Sequence, residues 1–218
     1  MPEIGGEVLI DMPVNFDLTR EKLTEHAEHI SFRWRHESDA FASTWREHNN
    51  PSDTVICLNT EMKDFAEGEY HSSSPSHQLR FQFFVALNLC HELAHSVTMR
   101  RRSGGEPFFN CTEPAAELGA SWEHCIFGGK IQPINYSMNA ADGLMWFPWQ
   151  SSEAINEAIH RNERRFVAVQ MGWVEMNFET NRWAKVELFG TGETNMAATD
   201  CSAVVPFTED FYRQLAHP

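Results

Sequence analysis

The chain is short of positive charge. Seventeen lysines and arginines stand against 31 aspartates and glutamates in 218 residues, a formal net charge of -14. No basic field draws in phosphate, which excludes nucleic acid and anionic membrane as main partners. The one basic run, Arg100-Arg101-Arg102, reads as cations at a helix C-terminus, where the helix dipole favours them. Cysteine-pairing signals are also missing: the five cysteines, at 57, 90, 111, 125 and 201, are odd in number, scattered and without a C-x-x-C pair. A disulfide framework is thereby excluded, and reduced, mostly buried thiols in a cytoplasmic protein fit better. There is no internal repeat, no apolar run long enough to span a bilayer, and no signal peptide in the opening Met1-Pro2-Glu3-Ile4-Gly5-Gly6.

Apolar residues are plentiful: 42% of the chain is hydrophobic, with 16 Phe and 7 Trp. That suffices for one large domain or for two lobes sharing a cleft. Helices are expected at roughly 18–29 and 36–48, a short buried strand at 53–59, then a polar loop holding the serine-rich stretch 71–76. From Ser76 to about Arg102 the spacing predicts a long helix, apolar on almost every side between Phe81 and Cys90. A second helix is expected from Thr112 to Phe127, with Thr112 as N-cap, Glu113 and Pro114 in the first turn, and Gly128-Gly129 as the stop. Residues 131–150 read as a loop in which Trp146-Phe147-Pro148-Trp149 packs into the core. Residues 151–164 read as a helix, 165–186 as two strands turning at 179–181, 190–195 as a loop, and 208–215 as a short helix. The class is α+β, mainly helical, with a small mixed sheet.

The chemistry concentrates in His91-Glu92-Leu93-Ala94-His95. Residues four apart share a helix face, so the two histidines present their ring nitrogens to one point. Such a pair suits a tetrahedral Zn²⁺ at about 2.0–2.1 Å from each nitrogen. Glu92, beside the first histidine, is placed to take a proton from water that the metal activates. Two histidines and a glutamate on so apolar a helix are costly to bury without such a purpose. Catalytic zinc normally takes a third protein ligand and keeps one position open. The next helix offers Glu113, Glu117 and Glu123. At 3.6 residues per turn, Glu117 shares a face with Glu113, Ser121 and His124, opposite an apolar stripe of Ala115, Leu118, Trp122 and Ile126. Glu117 is preferred as third ligand, with Glu123 and Glu113 as the alternatives.

His91-Glu92-Leu93-Ala94-His95 followed by Glu117 resembles the zincin metallopeptidase superfamily on its gluzincin side. The metzincin continuation is absent, because Ser96-Val97-Thr98-Met99 follows instead. Aminopeptidase-type gluzincins carry their glutamate nineteen positions after the second histidine, where this chain has Pro114. Glu117-Leu118-Gly119, Glu123 and Phe127-Gly128-Gly129 are similar to a pattern in fungal HExxH proteins. The resemblance covers about residues 91–129. It implies a single zincin-like domain with an N-terminal lobe over about 1–103, including the motif helix on the floor of a cleft. The C-terminal lobe, about 104–218, would carry the third ligand, and the 53–59 strand would belong to a small sheet above the motif helix. The expected function is hydrolysis of a peptide or amide bond with one zinc per chain and a peptide or small-molecule substrate. The alternatives are a zinc-dependent lyase, cyclase or isomerase acting on a small metabolite, and a metal-stabilised binding module.

Overall fold

The computed structural model describes residues 16–38, 40–101, 117–148, 160–161, 163–196 and 202–206. Helix α1 (Phe16–Ala27) leads into strand β1 (Ile30–Arg35), followed by β2 (Ala42–Glu47) and β3 (Asn50–Asn59). Strand β3 is the centre of a three-stranded sheet, with β1 parallel on one side and β2 antiparallel on the other. Its run Thr54-Val55-Ile56-Cys57-Leu58 is buried throughout, as a β-branched and apolar strand covered on both faces should be.

The helix expected over 36–48 does not form, since β2 occupies residues 42–47 of that stretch. Ser43-Thr44-Trp45 suits a pleated, half-buried surface, and pairing of Ala42–Arg46 with Thr54–Leu58 outweighs the helix preference of the flanking charged residues. The polar loop expected after Asn59 likewise begins as a helix, α2 (Thr60–Gly68). The Asn59 side chain caps it by accepting from the Glu61 amide, and Met62 and Phe65 are its buried residues.

Helix α3 (Pro75–Arg101) follows the expected long helix closely. Phe81, Phe83, Phe84 and Leu87 are buried, each contributing roughly 1.5–3 kcal/mol relative to exposure. Helix α3 packs on β2 and β3 on one flank and on α4 (Leu118–Phe127) on another. Helix α4 begins later than the sequence predicts. Glu117 is its N-cap in extended backbone conformation, while Thr112, Glu113 and Pro114 lie outside the described residues. Gly128, with φ +73°, takes the left-handed position that closes α4 as expected.

The second sheet contains β4 (Gly129–Pro133), β5 (Leu144–Pro148), β6 (Glu163–Ala168) and β7 (Ser202–Pro206), in that order and antiparallel throughout. The loop expected over 131–150 is therefore wrong at both ends. Ile131 pairs with Trp146 and both are buried, so apolar burial extends these segments into strands. Trp146 belongs to the core, with its indole donating to the Phe127 carbonyl. The first strand expected in 165–186 matches β6, but the second is replaced by α5 (Met171–Met176) and α6 (Thr180–Phe189). The Arg, Ala, Lys, Glu and Leu residues of 182–188 are good helix formers, and no glycine or proline interrupts them. The helices expected near 151–164 and 208–215 fall largely or wholly outside the described residues. One main core joins α2, α3, the end of α4, β4–β6 and α5. Among the described residues, no helix is long and apolar enough to cross a membrane.

Candidate metal centre

His91 and His95 lie on the stretch of α3 that packs against α4 and the first sheet. Their ring centroids are 5.0 Å apart, with the planes inclined at 58°. Both rings turn their Nε2 atoms to the same carboxylate oxygen: Glu117 Oε1 lies 2.9 Å from His91 Nε2 and 2.7 Å from His95 Nε2. Helix α4 fixes that carboxylate, because Glu117 Oε2 accepts from the Ala120 amide as the N-cap. One oxygen satisfies an orphan donor of the first turn while the other faces the imidazoles. Glu117 thus reaches the histidines from the position preceding α4, not from a face within it as the helical projection has it.

Glu123, an alternative ligand in the sequence reading, has a different place. It is 2% exposed, its Oε1 is 2.7 Å from His91 Nδ1, and its Oε2 accepts from the Ile131 amide at 2.8 Å. It therefore holds the far side of the His91 ring and ties it to β4. With Nδ1–H donating to Glu123, the Nε2–H of protonated His91 donates to Glu117, and loss of that proton would leave a more basic Nε2 lone pair for an ion. Glu113 lies outside the described residues.

Glu92 is 6% exposed. Ligand-type atoms of His91, Glu92 and His95 all fall within 4.8 Å of one another. The Glu92 carboxylate nevertheless makes its own bond, its Oε2 accepting from Thr44 Oγ1 on β2 at 2.6 Å. Glu117, whose Oε1 lies near both Nε2 atoms, is a further candidate donor beside this group.

Two nearby features support this arrangement. A Cβ on Gly119 would fall inside the His91 ring, so only glycine admits the imidazole so close to α4. Beyond His95, the Ser96 hydroxyl donates to the Leu93 carbonyl at 2.8 Å and is 2.9 Å from His26 Nε2, linking α1 to α3. The sequence reading missed Thr44 and Gly119. A glycine in an otherwise helical run was the available signal for the second, and nothing marked the first.

The electrostatics follow from the geometry. Burial alone disfavours a charged His91, but the charge and hydrogen bond of Glu117, with Glu123 behind, hold its pKa well above the ordinary value. Burial opposes ionisation of Glu117, yet His91 and His95 together pull its pKa well below the usual carboxylate range. Burial pushes the Cys90 thiol up, so this neighbour of His91 offers no thiolate. Two imidazole nitrogens at 2.9 and 2.7 Å from one carboxylate oxygen are donor types that a metal ion such as zinc takes. The residues present fit the ion. No family model, curated protein or solved structure matches the chain.

Proposed function

We propose that this chain is a zinc-dependent hydrolase of a peptide or amide bond, with a gluzincin-like site in a two-lobed, zincin-like domain. His91, His95 and Glu117 hold the ion and Glu92 is the general base. One observation carries the reading: a single Glu117 oxygen stands within 2.9 Å of both Nε2 atoms. When bound, zinc polarises a carbonyl and lowers the pKa of water towards neutrality. The chain's own residues do the rest. Glu123 and Gly119 hold the His91 ring in place, and Glu117 is immobilised by capping α4. Glu92 takes the proton of the attacking water and returns it to the leaving amine, the usual exchange of roles for a base in amide hydrolysis. Packing of the motif helix against a small mixed sheet is consistent with the zincin arrangement.

Elemental analysis of the purified protein tests the metal, and a peptide panel tests the reaction. The expected result is about one zinc per chain, lost in Glu117→Ala, with peptide cleavage abolished in a Glu92→Gln protein that keeps its zinc. Absence of any stoichiometric transition metal overturns the reading. Zinc with no cleavage across the panel redirects it to small-molecule chemistry.

A further inference from the structure

We infer that Thr44 is the positioning residue for the general base, an inference that rests on the metal-hydrolase reading and deepens it. Strand β2 lies at the edge of the first sheet, and Thr44 pairs with Ile56 of the central strand. Its side chain meets α3 beside the motif. The hydroxyl oxygen is 2.6 Å from Glu92 Oε2 and 3.2 Å from the Glu92 carbonyl oxygen, so its single proton goes to the nearer carboxylate while the backbone of the same residue lies alongside. Among the described residues, no other donor is given to this carboxylate, which is buried and needs one.

A glutamate has three rotatable side-chain bonds, and burial alone does not select one rotamer. Fixing Oε2 on Thr44 fixes where Oε1 points. The ligand-type atoms of His91, Glu92 and His95 lie within 4.8 Å of one another, so the other oxygen would be available to a water or substrate at a bound ion. Held by Thr44, Glu92 would serve as proton acceptor rather than as a ligand. Thr44 touches neither ion nor substrate in this scheme. It acts through Glu92.

The test uses the full chain loaded with Co²⁺ and acetohydroxamic acid as probe, a metal chelator whose hydroxyl proton suits an adjacent carboxylate. Binding is read from the visible spectrum of the cobalt protein. Thr44→Val is expected to weaken acetohydroxamate about tenfold while Co²⁺ affinity and thermal stability stay near wild type. Thr44→Ser, which keeps the hydroxyl, restores binding. In a Glu92→Ala background, Thr44→Val adds no further loss, because its effect runs through the missing carboxylate. Unchanged acetohydroxamate binding in Thr44→Val overturns the inference, as does an equal loss on top of Glu92→Ala. A wild-type chain that takes up no Co²⁺ or Zn²⁺ overturns the hydrolase reading and this inference with it, an outcome distinct from the other two.

Discussion

A methyl group on Gly119 would occupy the space that the His91 imidazole fills. The contact joins the first turn of α4 to the motif helix, and the glycine is required for clearance. Its φ is not in the left-handed region, so backbone conformation is not the reason. Gly119→Ala is expected to push the ring away from Glu117, lowering zinc affinity about 10–100-fold, as displacing a ligand's support typically does. Overpacking adds about 1–3 kcal/mol of destabilisation. Competition with a chelating dye measures the first effect and thermal unfolding the second. A Gly119→Ala chain that binds zinc like wild type contradicts the close packing described here.

Glu123 holds the far ring nitrogen of His91 and the Ile131 amide, which on the proposed reading makes it a support for the site and not a ligand. Glu123→Gln keeps the shape and an acceptor but removes the charge on which His91 Nδ1 rests. Zinc should still bind, with affinity reduced about 10–100-fold. Glu123→Ala also strands the buried Ile131 amide, costing about 1–3 kcal/mol more in stability. Complete loss of zinc in Glu123→Gln, with retention in Glu117→Gln, would reverse the roles assigned to these two glutamates.

The motif helix was readable because its signals agreed. Phe81–Leu87 are apolar on nearly every side, and the i, i+4 spacing of His91 and His95 acts locally. Glu117, preferred over Glu123 for its helix face, does bring one oxygen against both Nε2 atoms, but by another route. A helical projection treats Glu117 as a member of a face, whereas its reach comes from the extended backbone just before the helix. Strand β2 was misread because charged residues suggest helix. Its extended form is decided by pairing to β3, a partner distant from any helical window. Thr44 was illegible for the same reason, since a threonine 48 positions from Glu92 gains meaning only when strand and helix meet. Hairpin β4–β5 was hidden by turn-like residues in its connection, although Ile131, Leu144 and Trp146 carry its burial.

Glu117 caps α4 and, on the proposed reading, also holds the ion, and substitutions should separate the two roles. Glu117→Ala removes the cap and the third donor together. The lost cap costs about 0.5–2 kcal/mol, and stoichiometric zinc should disappear. Glu117→Gln keeps an acceptor for the Ala120 amide, so stability should fall less than in Glu117→Ala while zinc affinity still falls sharply. Calorimetry and zinc analysis on the same samples read both duties. Equal stability of Glu117→Ala and wild type would remove the capping role.

The His91–Glu117 pair also sets a pH dependence for the metal-free protein. Raised above its ordinary 6.5, His91 contributes stability that is complete below that value and fades as pH rises through its folded-state value. Glu117 is lowered beneath its ordinary 4.5, so its contribution is complete above that value and is lost as pH falls through its folded-state value. Both contributions are full between 4.5 and 6.5, and the chelator-treated chain should show its largest advantage over Glu117→Gln in that window. The advantage should shrink on either side. Zinc bound as proposed would reverse the alkaline limb, because the ion takes neutral imidazole and would displace the His91 proton. Zinc affinity should therefore strengthen as pH rises towards the folded-state value of His91. Thermal unfolding of wild type and Glu117→Gln across the pH range, with and without zinc, measures both trends. Parallel profiles for the two metal-free proteins would show that the pair does not carry the charge argued here.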